Sequence, residues 1–148
     1  MKWLLDTNIA SDSVRERPSR AVIDWMEETA QEDAAISAVT FAELRDGATT
    51  ARDEARRRRL IEWVDVEVAQ RFRDRTLPVT TDILIDWLRL GRRLSTKRIT
   101  RDAADMLIAC TARVHRLILV TRNVRDFADT GIVVYDPWSG KTHRMEQP

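Results

Sequence analysis

One cysteine, Cys110, is present in 148 residues. That excludes an internal disulfide and a zinc site built from several thiolates. There are two histidines, His115 at the end of a helical stretch and His143 in what reads as a loose tail. A nucleophile–histidine triad therefore has no credible base. Four glycines and four prolines, with no repeat and no low-complexity stretch, leave no linker at which to divide the chain. The longest apolar runs, such as the one from Leu117 to Val120, fall far short of the ~20 residues that span a bilayer. The first ten residues carry an acid and no extended apolar stretch, so no secretory signal is visible. The expectation is a cytoplasmic domain. Lysine is scarce too: Lys2, Lys97 and Lys141 stand among 25 basic residues, and the other 22 are arginines.

What is present has the size of one domain, able to bury about two-thirds of its unfolded surface. Apolar residues at 43% and charged residues at 33% read as a soluble globular chain. The net charge of +1 lacks the global basicity of many nucleic-acid binders. Arginine's planar fork nevertheless suits phosphate, which keeps RNA or DNA admissible as a partner. The run from Arg56 to Arg59 reads as an ordinary solvated helix face.

Short apolar runs alternate with longer helical periodicities. Strands are expected at KWLL, AAISAV, TLPVT, RLILVT and GIVVYD. Helices are expected over SRAVIDWMEETA, from TFAELRDGA through an arginine-rich region to about Phe72, over DILIDWLRLGRRL, and over RDAADMLIACTARVH. NVRDFA reads as a single helical turn. This alternation predicts a parallel sheet covered on both faces, with ligands at the carboxyl ends of the strands.

Several acids fall at that edge. Asp6 ends the first strand, where a charge is seldom needed for folding. Thr40 and Glu43 have the spacing of a capping box, which explains Glu43 without any chemistry. Asp102 and Asp105 open a helix and complement its dipole. That helix is apolar on nearly every side, so an acid embedded in it needs a partner. Asp126 could simply cap a turn. Taken together, each acid opens or ends an element at the expected ligand edge. Two unit charges ~5 Å apart repel by about 3 kcal/mol at an effective dielectric of ~20. A divalent cation would relieve such a cluster, and all-oxygen ligation suits magnesium or manganese better than zinc.

The segments LLDTN, SAVTFAELRDG, ADMLIACTA, LILVTRNVRDF and TGIVVYDPW resemble, in order and with ordinary spacing, the PIN-domain family and its VapC-type toxins of bacterial toxin–antitoxin pairs. The resemblance implies an α/β fold, a three-layer α/β/α sandwich around a mainly parallel five-stranded sheet, as a single domain over residues 1–138 with a tail at 139–148. It implies a Mg²⁺- or Mn²⁺-dependent endoribonuclease that cleaves RNA, forms a homodimer and is silenced by an antitoxin protein. By matching residues it places the metal-binding and catalytic acids at Asp6, Glu43, Asp105 and Asp126, with Asp102 in reserve. Thr7, Asn8, Thr121 and Asn123 would orient ligands or water, and Arg122 or Arg45 would hold the RNA backbone. An antitoxin tail is expected in a groove between the early helices. Trp25, Trp63 and Trp87 fall on apolar helix faces, where core packing is the expectation. The chain departs from the family pattern at Cys110, often alanine, and at Arg116, often glycine.

Other readings are weaker. A haloacid-dehalogenase-like phosphoacceptor wants a second acid where Asn8 stands, and a receiver domain wants further acids and a late lysine that fit poorly. The SGKT run at 139–142 mimics a P-loop, but Tyr135 occupies the required glycine position and no helix can follow. The competitor of a different class is a PIN-like module that binds RNA or protein without cutting. Such a module gains nothing from clustered acids.

Overall fold

A computed structural model describes residues 1–147. Its sheet is ordered β3-β2-β1-β4-β5-β6, with β1 (Trp3–Leu5) in the interior. β2 is Ala34–Ser37, β3 Thr76–Leu77, β4 Ile118–Val120, β5 Val133–Asp136 and β6 Lys141–Arg144. The first five strands are parallel, as expected, and β6 adds a sixth, antiparallel to β5. The segment holding His143, expected to be loose, is therefore ordered in part: Val134 pairs with His143 and Asp136 with Lys141. Of that tail, Pro148 lies outside the described residues.

Alternation along the strands sorts the core into two layers. Leu4, Ala35, Leu119 and Val134 face one side and pack with Ile108, Ala109, Ala112 and Phe127. Leu5, Ile36 and Val120 face the other and pack with Ile9, Val22, Leu44, Val64 and Val68. The first layer comes from α7 (Ala103–His115) and the turn Val124–Phe127. The second comes from α1 (Thr7–Ala10), α2 (Arg20–Glu28), α3 (Ala38–Thr49), α4 (Glu54–Glu62) and the segment beyond it. α6 (Thr81–Thr96) lies outside α7 and seats Ile83, Leu90 and Leu94 around Cys110. Among the described residues no helix is long and apolar enough to cross a membrane.

The arginine-rich helix is broken where a continuous one was expected. α3 stops at Thr49, and α4 starts after Asp53, whose carboxylate caps Arg56 N–H at 2.7 Å. α4 then widens into a π-helical turn over Trp63–Val68 before α5 (Ala69–Arg71). That turn puts Val64 and Val68 in the core and leaves Val66 exposed. Trp25 and Trp63 pack on the second layer and Trp87 on the α6 cluster, all partly buried.

The arginine departure has a definite conformation. Arg116 closes α7 at φ 54° and ψ 41°, with its N–H returned to Ala112 and Arg113 carbonyls. A left-handed residue with a Cβ costs about 1–2 kcal/mol, which glycine avoids. Arg116→Gly is expected to stabilise the fold by about 1 kcal/mol in urea unfolding, the balance after glycine's larger unfolded-state entropy. A destabilised variant would show that the arginine side chain itself holds this end.

Candidate active site

The carboxyl ends of β1, β2, β4 and β5 meet at one edge of the sheet. Register sets the central pair there. Leu5 is opposite Val120 in the parallel ladder, so the residues that follow, Asp6 and Thr121, stand side by side. The Asp6 N–H donates to the Val120 carbonyl at 3.0 Å, which extends the ladder by one bond. Asp6 is only 5% exposed.

Its carboxylate accepts three hydrogen bonds. Oδ1 accepts from the Thr7 N–H at 2.8 Å and so caps α1. Oδ2 accepts from the Thr121 hydroxyl at 2.6 Å and from Asn8 Nδ2 at 3.1 Å. Asn8 Nδ2 also donates to Thr121 Oγ1 at 2.9 Å, and the Asn123 N–H donates to the same oxygen at 3.0 Å. The four polar residues singled out beside the acids are therefore in contact with the network. Thr7 serves a second carboxylate, because its hydroxyl donates to Glu43 Oε2 at 2.5 Å.

Glu43 is not a capping residue. α3 begins at Ala38, one turn earlier than the capping-box reading required, and Ser37 Oγ accepts from the Thr40 N–H at 2.9 Å. Thr40 is buried inside the first turn, and Glu43 reaches across to α1 instead. The unbroken small and apolar run AAISAV hid this boundary in the sequence. The signal for it was Ser37 three residues ahead of Thr40. Asp102 is a true helix cap: Oδ1 accepts from the Ala104 and Asp105 N–H groups at 2.8 and 3.2 Å.

Asp105 is half-buried on α7, and among the described residues its carboxylate accepts no hydrogen bond and forms no ion pair. Burial, then repulsion from Asp6, Asp102, Asp126 and Glu43, pushes it up to about 7. Burial is also the main cause that raises Asp6, partly offset by the Thr121 and Thr7 hydrogen bonds, with Asp126 adding repulsion. Glu43 is raised by burial, eased by Thr7 and raised again by Asp6 and Asp102. Asp126 is exposed on the turn anchored by fully buried Phe127. All four expected acids and Asp102 thus belong to one electrostatic neighbourhood, and no cation is among the charges that shift Asp6, Glu43 or Asp105.

The donor set is hard and anionic, the kind that fits a divalent cation with oxygen ligands. As the side chains lie, no three acidic, histidine or cysteine groups among the described residues converge on one point. Glu43 and Asp102 are turned toward Thr7 and the α7 amides. Of the two arginines expected to hold RNA, Arg45 is paired with Asp65 at 2.7 Å, whereas Arg122 lies at the rim, its N–H donating to Asn8 Oδ1 at 3.4 Å.

The raised carboxyls give a pH dependence of definite sign. A group at about 7 in the fold and near 3.8 when unfolded leaves the folded chain with more bound protons between those values. Metal-free stability contributed by Asp105 therefore falls as pH rises through that window. Asp105→Asn should gain melting temperature over wild type in EDTA, and the gain should be larger at pH 8 than at pH 5. A difference independent of pH would remove the crowding from Asp105.

A profile of the PIN domain matches residues 3–133. The chain is 31% identical to toxin FitB of Neisseria gonorrhoeae over 135 residues, covering 91% of this chain and 97% of that protein. It is also 31% identical to VapC ribonuclease Y4jK of Sinorhizobium fredii over 135 residues, covering 91% and 96%. The crystal structure of FitAcB from Neisseria gonorrhoeae superposes with a TM-score of 0.86 at 31% identity, over 92% of this chain and 98% of that one. A structure of FitAB bound to an IR36 DNA fragment gives 0.84 at 29% identity, over 92% and 95%. Asp6, Glu43, Asp102, Asp105 and Asp126 all fall within the matched segment, and the chain belongs to the PIN domain family.

Proposed function

We propose that this protein is a metal-dependent endoribonuclease, the toxin of a toxin–antitoxin pair, acting in the cytoplasm. The observation that carries the reading is the gathering of Asp6, Glu43, Asp105 and Asp126 at the carboxyl edge of the sheet, where burial first and the neighbouring acids second raise Asp105 to about 7. Perturbed acids gathered at a ligand edge mark functional sites. The resemblance to FitB and to a VapC ribonuclease supports RNA as the substrate.

In this reading Asp6, Glu43, Asp105 and Asp126 are the metal ligands. Mg²⁺ or Mn²⁺ bound there supplies Lewis acidity toward a phosphate oxygen and lowers the pKa of water. Asp6 is the fixed point, because three side-chain and backbone donors hold its carboxylate. Asn8 and Thr121 orient it, the Thr121 hydrogen bond favouring its charged form against burial, and Thr7 couples its placement to Glu43. Asp105, the least supported acid, gains most from a cation. Its proton must leave before the cation binds, so activity should rise through neutral pH.

The antitoxin reading is supported by the FitA partner of the FitB-type neighbours and by a groove in this chain. Between the 3₁₀ turn Asp12–Val14 and α4 lies a cavity of about 480 Å³ lined by Ser13, Val14, Arg56, Arg59, Leu60, Trp63 and Glu67. Leu60 and Trp63 offer apolar contact and Arg59 a cation, beside Glu67 and an Arg56 paired with Glu16, a mixed lining that fits an amphipathic tail. Homodimerisation is supported by exposed Leu84, Ile85 and Leu88 on α6 and exposed Val114 on α7, the helix it packs against.

Two outcomes test this function. Purified chain free of antitoxin should cut total bacterial RNA into discrete fragments with Mg²⁺ or Mn²⁺, and not in EDTA. Asp6→Asn should abolish the cleavage, by at least two orders of magnitude, without loss of fold. Folded, metal-loaded protein that binds RNA but cuts none in any arm would favour the non-cutting module. Separately, Leu88→Glu should convert a dimer to a monomer in light scattering, and an unchanged mass would place the interface elsewhere.

A further inference from the structure

Arg122 follows Thr121 at the acidic edge, and its guanidinium lies 5.5 Å from the centroid of the Trp138 ring. Among the described residues it makes no ion pair. Arg45, Arg101 and Arg113, by contrast, pair with Asp65, Asp129 and Asp86. Arg122 therefore carries an exposed cation with no ion-pair partner among the described residues, and its backbone N–H, donating to Asn8 Oδ1, places its main chain at the rim of the acidic site.

Trp138 is held rather than free. Asp136 Oδ1 accepts from the Trp138 backbone N–H at 2.9 Å, and Oδ2 accepts from the Ser139 hydroxyl at 2.7 Å. The same aspartate pairs with Lys141 in the β5–β6 hairpin, and Pro137 between them is buried. This whole support lies beyond residue 133, where the PIN domain match ends. A guanidinium resting on an aromatic face keeps its N–H edges free and its orientation restricted. That is a fork prepared for bidentate recognition of an oxyanion.

We propose that Arg122 grips a backbone phosphate of the RNA strand beside the one being cut, and that Trp138 is the positioning residue that presents it. The proposal rests on the ribonuclease reading: a strand whose scissile phosphate lies over the acids must carry a neighbouring phosphate past this rim. Because the contact is to backbone, it acts on all RNA sequences alike.

The test measures binding of a short fluorescent single-stranded RNA by anisotropy, in Mg²⁺ and in an Asp6→Asn background that cannot cut. Arg122→Ala should weaken binding on the order of tenfold and lower the salt slope of log K by about 0.7, the value for one phosphate contact on a single strand. In the cutting protein the same change should raise KM and leave kcat at saturating RNA within about twofold, since the contact is made in ground and transition states alike. Trp138→Phe should keep most of the affinity and Trp138→Ala should lose part of it, with melting temperature recorded for both. In the Arg122→Ala background Trp138→Ala should add nothing, because its effect runs through the arginine. Unchanged affinity and salt slope in Arg122→Ala overturn the phosphate contact. Additive losses overturn the positioning role and make Trp138 a stacking surface in its own right. Arg122→Ala that binds RNA normally but loses a purified antitoxin reassigns the fork to a protein carboxylate. Wild-type protein that neither binds nor cuts RNA sinks the ribonuclease reading along with this one; wild-type that does both, beside an indifferent Arg122→Ala, sinks this one alone.

Discussion

The hydrogen bond from the Thr121 hydroxyl to Asp6 is the joint on which the site depends. It ties the ends of two neighbouring parallel strands that are 115 residues apart in sequence. It exists only because Leu5 and Val120 are in register. A shift of one residue would turn both side chains to opposite faces, so the buried alternation of Leu4 and Leu5 against Leu119 and Val120 also fixes the chemistry. The core and the site are specified by the same pairing.

Around that joint the fold carries a local conflict. Asp105 stands on the helix that supplies Ile108, Ala109 and Ala112 to the core, yet its carboxylate has no protein partner among the described residues and every charge acting on it is negative. A chain selected only for stability would place an amide or an apolar residue there. The rest of the molecule is orderly: each half-buried arginine outside the site that pairs with an acid does so at short range, as Arg113 does with Asp86 at 2.8 Å. Apart from the like-charge contact of Arg71 with Arg75, the conflict of charge gathers at one edge, which is the pattern expected where local consistency gives way to function.

Much of this was legible in the sequence. The order of strands and helices followed from periodicity, and the acids stood out because strand ends and buried helices seldom carry unpaired charge. Thr7, Asn8, Thr121 and Asn123 could be singled out by adjacency, and all four touch the network. Tertiary context hid the rest. Thr40 and Glu43 have capping-box spacing, but Ser37 begins the helix, a boundary that an unbroken small and apolar run cannot mark. β6 reads as tail because Lys141 to Arg144 has no apolar alternation and is held by backbone pairing alone. Arg45 and Arg122 look equivalent on paper, and only the fold reveals that one already has an acid partner. Arg116 shows the converse: a family glycine predicts a left-handed helix end, and this chain keeps the backbone shape without the residue that suits it.

The short β6 has a consequence for life at high local concentration. A parallel sheet with an open flank is a template on which another chain can crystallise its own strand. Here one flank ends in β3, two residues long, and the other in β6, whose Lys141 and Arg144 are exposed. Neither border offers a long apolar ribbon for addition. Both borders therefore resist the addition of a strand from another copy of the chain.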